Sequence, residues 1–247
     1  MDDHVAWLDL DRPKSANSMN KTMWAELRQA FEQLDQMADV YVVVLGGKGK
    51  HFSTGIDLTY LATLQKELNH LPEGLKQEHL FRLITELQEA VTAVELCRKP
   101  VLAAIQGYCL GGGLDLAAAC DMRYATGATR FSVKEVDLAI VADLGVLQRL
   151  PGIVGEGIAR ELAFTGRTFK GEEARSIGLV NQLFKTTDAL RSGVMALAQD
   201  LSQKSSLTLR GIKQTLNFSR DHNVSDGLKY VALRNAAMLL SEDLGHE

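Results

Sequence analysis

The chain has 247 residues, 46% of them hydrophobic, enough to bury one large core with or without an appended region. Its formal net charge of −4 comes with Lys and Arg scattered along the chain, so no basic face points to a nucleic acid or an anionic membrane. The three cysteines, Cys97, Cys109 and Cys120, are too few for a disulfide framework and lack the close pairing of a zinc site, so they read as small buried hydrophobes in a reducing compartment.

Residues 5–10 read as a strand, closed by Arg12 and Pro13; it lacks a leading turn, so the native chain is expected to start earlier. From Asn20 onward, Met23, Leu27, Phe31 and Leu34 recur at helical spacing. A buried strand is predicted over 41–45. Glycines 46, 47, 49 and 55 then break any periodicity, marking an irregular loop just past the strand's C-terminal end, where function often concentrates. Residues 59–79 are polar and weakly patterned, whereas Leu80, Leu83, Leu87, Val91 and Val94 predict a long helix ending before Pro100.

A strand over 100–105 runs into a glycine loop and a small-residue helix reaching Ala119. Further helices are predicted over 144–150, 157–165, 171–177, 188–202, 206–219 and 226–240. The organisation is α/β, with a core over 1–187 and a helical region over 188–247. The longest mostly apolar stretch, residues 101–114, contains Gln106 and three consecutive glycines and is shorter than the about 20 residues that cross a bilayer. Asp2 and Asp3 stand where a signal peptide would carry basic residues, so the protein is expected in the cytoplasm if its source is bacterial.

Gly111, Gly112 and Gly113 stand where a strand meets a helix, so a ligand can approach unpaired backbone N–H groups there, and such a site favours an anion. The segment has neither the Walker Lys-Ser/Thr pair nor the G-x-G-x-x-G spacing of phosphate loops. The oxyanion of a thioester or ester carbonyl remains a candidate, and so does a tight helix-strand contact that merely needs glycine. Asp115, in the first turn of that helix, can serve the macrodipole or the chemistry. Glu135 and Asp143 fall in residues 133–144, whose apolar side chains predict burial, and clustered buried carboxyls push each other's pKa values apart, as acid-base catalysis requires. Asp137, in the same stretch, reads as a structural acid paired with an arginine. The histidines lack metal-ligand spacing and are expected to be mostly solvated; no metal is called for. No G-x-S-x-G elbow supplies a serine nucleophile.

FSTGIDL from Phe52 and AIQGYCLGGGLDL from Ala104 resemble the two oxyanion-hole segments of the crotonase (enoyl-CoA hydratase/isomerase) family. CDMRY from Cys120, QRL from Gln148 and GLV from Gly178 resemble further landmarks of that family in the expected order, so the likeness runs from about residue 5 to about residue 240. The resemblance implies a spiral of repeated ββα units with C-terminal helices that form trimers or hexamers. It also implies an acyl-CoA thioester as substrate, with no cofactor apart from the coenzyme A it carries. It assigns the oxyanion hole to the N–H groups of Ile56 and Gly112, and places Ser53 and Thr54, with Gly55 and Asp57, on the loop that receives the adenine end of coenzyme A.

Hydratases of this family are expected to carry glutamates at the positions of Asp115 and Glu135 and a glycine at that of Asp143. The run KEVDLAIVADLG from Lys134 instead resembles the dienoyl-CoA isomerase subgroup, which moves a 3,5-diene into 2,4-conjugation with the thioester. That implies proton removal from C2 by Glu135, delivery to C6 by Asp143, and tuning of both by Asp115. The competing readings are a hydratase or a 3,2-enoyl-CoA isomerase on the same fold, and a family member that binds acyl-CoA without catalysis. The family usually continues past residue 247, so a longer C-terminus is expected.

Overall fold

In the computed structural model of the chain, which describes residues 3–239, a five-stranded parallel sheet occupies the centre. Its strands are β1 (Val5–Leu10), β2 (Val42–Gly47), β3 (Val101–Ile105), β5 (Met122–Thr126) and β8 (Gln182–Phe184), side by side in that order. Every residue of β2 and β3 is buried, as a parallel sheet covered on both faces requires. The two-residue alternation sorts their side chains. Val43, Leu45, Val101, Ala103 and Ile105 join the larger core with helices α1 (Lys21–Gln36) and α3 (Glu73–Leu96). Val42, Val44, Leu102 and Ala104 pack instead against Leu190, Val194 and Ala198 of α8 (Thr187–Ser202).

A smaller sheet holds β4 (Tyr108–Leu110), β6 (Arg130–Ser132) and β7 (Phe169–Lys170). The chain alternates between the two sheets. β3 is followed by β4 and then α4 (Gly112–Ala119); β5 is followed by β6 and, after an irregular segment, by α5 (Val146–Val154). β2 begins an equivalent turn, in which the second strand shrinks to a single bridge between Ser53 and Cys109 before α2 (Leu58–Leu68). This is the ββα spiral implied by the resemblance. Because β4 lies parallel both to the Ser53 bridge and to β6, Cys109 is flanked by Ser53 and Phe131. The chain therefore leaves three successive turns at one end of the small sheet, just before Ile56, Gly112 and Glu135.

Residues 59–79, read from sequence as weakly patterned, are largely helical: they hold most of α2 and the first turns of α3. Asp57 caps α2 by accepting a hydrogen bond from the Thr59 N–H. The signal was present in Leu61, Leu64 and Leu68, spaced for one helix face, but the polar residues between them obscured it. Strands β4 to β8 have two to five residues each, too short for alternation to stand out.

The predicted helix 144–150 continues to Val154, and those predicted over 157–165 and 171–177 are α6 (Glu156–Thr165) and α7 (Gly171–Ser176). The last predicted helix starts earlier, as α10 (Val224–Met238), because the Asn223 side chain caps it; its predicted end at residue 240 lies outside the described residues. α8, which the sequence grouped with the C-terminal helices, covers the central sheet, whereas α9 (Ser206–Arg220) and α10 pack on each other. Buried Lys213 ties α9 to the core: its ammonium lies 2.7 Å from the Asp121 carboxylate and donates to the Lys99 carbonyl. Cys97, Cys109 and Cys120 are buried free thiols, as expected. Among the described residues, no helix is long and apolar enough to cross a membrane.

Candidate active site

Two buried amides pin the loop after β2. The Asn17 side chain donates to the carbonyls of Lys48 and His51 at 2.9 and 2.7 Å, and Gln106 donates to the Gly47 carbonyl at 2.6 Å. Sequence reasoning gave neither a role, since a lone amide has no periodic signature. Ser53 is fully buried; its hydroxyl donates to the Asn17 carbonyl and accepts from the Gly55 N–H. Its side chain shapes the loop from behind.

Gly55 has a φ of 84°, and a Cβ there would lie 2.8 Å from the Leu110 carbonyl oxygen and 3.0 Å from the Gly112 nitrogen. The loop and the start of α4 touch with no room for a side chain between them. Met19 holds the loop's outer edge: its N–H donates to the Gly55 carbonyl, and its carbonyl accepts from the Asp57 N–H. Among the described residues, nothing accepts a hydrogen bond from the N–H of Ile56 or of Gly112, and both residues line one cavity. Two unpaired donors beside each other at a helix start suit a developing oxyanion.

Asp57 works at the periphery. Besides capping α2, it accepts from Arg12 at 2.9 Å, and that guanidinium holds its carboxyl below the usual range. Thr54 and Gly55 line the cavity; Ser53 and Asp57 do not.

The three acids occupy distinct environments. Asp115 is fully buried in the first turn of α4, where its Oδ1 accepts from the Val146 N–H at 2.7 Å and its Oδ2 has no partner. Burial, and then the charge of Glu135, push its pKa up to about 8. Glu135 also keeps one buried oxygen without a partner, and its carboxyl is raised by burial and, to a lesser degree, by Asp143. Asp143 is half-buried, and burial raises its carboxyl too. With its pKa near 8, Asp115 is largely protonated near neutral pH, so the three do not all ionise.

The burial predicted for residues 133–144 holds at the two ends, where Val133, Ala142 and Leu144 are buried, and not between them. The chain makes a short 3-10 turn, Glu135–Leu138, ended by Ala139 in the left-handed region, and then runs without regular structure to Gly145. Val136, Leu138, Ile140 and Val141 are exposed, because the middle of the segment skirts the cavity before Ala142 and Leu144 return to the core. Asp137 pairs with Lys134, not with an arginine, since the three-residue period of the turn brings these two side chains together.

The cavity holds about 860 Å³. Ile56, Gly112, Glu135 and Asp143 line it together with an apolar wall from α2 and α3 that includes Leu61, Leu64, Leu68, Leu80, Leu83 and Leu87. α2 departs from the Ile56 loop and α3 returns to Asp143, whose carbonyl accepts from Gln88 at 2.7 Å. From Lys76 to Leu87 the α3 wall is about 16 Å long at 1.5 Å per residue. Backbone donors, paired carboxyls and an apolar trough converge on one ligand type: an extended acyl chain bearing a carbonyl, with protons moved along it. Among the described residues, no group of three or more His, Cys, Asp and Glu side chains is placed to hold a metal ion.

Residues 1–239 match the enoyl-CoA hydratase/isomerase family. The chain belongs to that family. It is 48% identical over 244 residues to the peroxisomal Δ(3,5)-Δ(2,4)-dienoyl-CoA isomerase of Arabidopsis thaliana, with 98% of this chain and 88% of that one covered. It is 41% identical over 242 residues to the mitochondrial Δ(3,5)-Δ(2,4)-dienoyl-CoA isomerase of Homo sapiens, with 98% and 74% covered. Among solved structures, an enoyl-CoA hydratase from Bacillus anthracis superposes with a TM-score of 0.88 at 29% identity, covering 97% of this chain and 88% of that one. This enoyl-CoA hydratase/isomerase family member thus has the crotonase fold, and both relatives named as dienoyl-CoA isomerases exceed the hydratase structure in identity.

Proposed function

We propose that this protein isomerises 3,5-dienoyl-CoA thioesters to their 2,4-dienoyl-CoA conjugates, a step in the β-oxidation of unsaturated fatty acids. The observation that carries the reading is the placement of two carboxyls, Glu135 and Asp143, on the same cavity as the two free N–H groups. The thioester oxygen sits between the N–H groups of Ile56 and Gly112, where negative charge grows as the C2 proton leaves. Ionised Glu135 takes that proton. The dienolate carries electron density to C6, and protonated Asp143 delivers a proton there while the double bonds shift to 2,4. One proton is taken and one given, so the step needs no cofactor beyond the coenzyme A of the substrate.

Asp115 tunes the pair: at neutral pH it is largely protonated, which spares Glu135 a second negative charge close by. Its position also disfavours a hydratase. A hydratase reading needs water held between Asp115 and Glu135, but Asp115 is fully buried in the first turn of α4, bonded to the Val146 N–H, and does not line the cavity. The α2–α3 trough suits the distal acyl chain, and the backbone around Thr54 and Gly55 suits the coenzyme A end. A trimeric or hexameric assembly accords with the exposed apolar side chains Leu216, Leu228 and Leu233 on α9 and α10.

The test is ultraviolet absorbance of the purified protein mixed with a 3,5-dienoyl-CoA and, separately, with a 2-enoyl-CoA. Growth of the conjugated 2,4-dienoyl band is expected in the first. Loss of the enoyl band in the second, with no change in the first, would replace this reading with hydration. Silence in both, with tight coenzyme A binding, would mean a non-catalytic family member.

A further inference from the structure

Asp143 lies on a stretch with no secondary structure, so its position must come from side chains. Those side chains form a chain of contacts running away from the cavity. Arg149, on the first turns of α5, donates to the Leu144 carbonyl at 3.4 Å, one residue after Asp143. Its guanidinium lies over Gly145, where a Cβ would come within 1.8 Å of Nη1, and Gly145 has a φ of 118°. Gly145, two residues after the acid, is thus shaped to receive this arginine, and no side chain fits there while Arg149 stays in place.

Arg149 is itself held. Its Nε and Nη2 donate to one oxygen of Glu95 on α3 at 3.1 and 2.7 Å, with both side chains 12% exposed. Arg220 of α9 pairs with the other Glu95 oxygen, and the Asn217 amide donates to the Glu95 carbonyl. Glu95 is therefore a carboxylate fixed from two sides, and none of these groups lines the acyl cavity.

We propose that Arg149, fixed by Glu95, is a positioning residue for proton delivery at C6: it sets the Leu144–Gly145 turn and thereby the placement of Asp143. The inference rests on the isomerase reading above. Glu135 is carried by the turn that follows β6, which Arg149 does not touch, so the two halves of the reaction should separate when this arginine is lost. A displacement of about 1 Å can cost a reaction step about 100-fold.

The experiment measures two rates on the same samples in deuterated water: exchange of deuterium into C2 of a 3,5-dienoyl-CoA, and formation of the conjugated 2,4-dienoyl product. Arg149→Met is expected to lower product formation by about 100-fold with little change in KM, while C2 exchange falls by less than about threefold. Arg149→Lys, which keeps one cation for Glu95 but loses the fork, should recover part of the loss. Glu95→Gln should reproduce the Arg149→Met pattern more weakly. Equal loss of both rates in folded Arg149→Met and Glu95→Gln would overturn the proposal, as would full product formation in either. A wild-type protein that exchanges C2 but forms no product would overturn the isomerase reading and this proposal together.

Discussion

The two halves of the active site are built by opposite means. The proposed oxyanion hole is made of backbone and fixed by the spiral: Ser53 bridges Cys109, β4 pairs with β6, and glycines at 55 and 113 let the pieces touch. The acid segment is made of side chains on chain without regular structure, fixed by Gln88, Arg149 and the Val146 N–H accepted by Asp115. A backbone-built site tolerates almost any side chain at Ile56 but no Cβ at Gly55. A side-chain-built site tolerates backbone variation but no loss of its functional groups. Variation between chemistries on one fold is therefore easier in the acid segment, because changing it leaves the ladders of the spiral intact.

Substitutions on either side should break this contrast if it is wrong. Glu135→Gln removes the proposed C2 base from a cavity it otherwise preserves, and turnover is expected to fall by about 10³-fold at nearly constant KM; steady-state kinetics will show it. Gly55→Ala places a methyl against the Leu110 carbonyl at a positive φ. It should cost about 100-fold in turnover through the displaced Ile56 N–H, and about 1–3 kcal/mol of stability by urea titration. Comparable stability loss in Glu135→Gln would mean that the acid segment too is scaffold.

Asp115→Asn tests the tuning role. Its folded pKa of about 8 lies above that of the unfolded chain, so the carboxyl favours the folded state at low pH, and this benefit is lost as pH rises toward 8. The amide variant should match wild type near pH 4 and exceed it by about 5 kcal/mol at pH 8 and above, read from urea midpoints across pH. The activity profile carries a related sign. Glu135 must be ionised and Asp143 protonated, and both are raised above the usual carboxylate range, so both limbs of the bell should sit higher than for solvated acids. The smallest effect belongs to Asp137→Ala: its pair with Lys134 is solvent-exposed, and stability should change by less than about 0.5 kcal/mol, with turnover within a few-fold.

What could be read in the sequence follows the same division. Glycines 55 and 111–113 announced the backbone-built half, because a close approach of two chains leaves glycine as its trace. Asp115, Glu135 and Asp143 were singled out by their place beside the glycine loop and among apolar residues, and resemblance supplied their roles; the burial expected around them holds at Val133, Ala142 and Leu144, whereas Val136, Leu138, Ile140 and Val141 face outward. Asn17, Gln106, Glu95 and Arg149 went unassigned because each acts mainly through partners far along the chain, such as Arg149, 54 residues from Glu95. The α2–α3 wall was missed for a different reason, a leucine stripe diluted by polar neighbours.

The central claim is that Asp143 gives the proton to C6. It is tested most directly by following the conjugated 2,4-dienoyl band with a 3,5-dienoyl-CoA as substrate and comparing wild type with Asp143→Asn, both confirmed folded by circular dichroism. The account predicts a fall of about 10³-fold or more in the rate of band growth. A rate within about tenfold of wild type would contradict it.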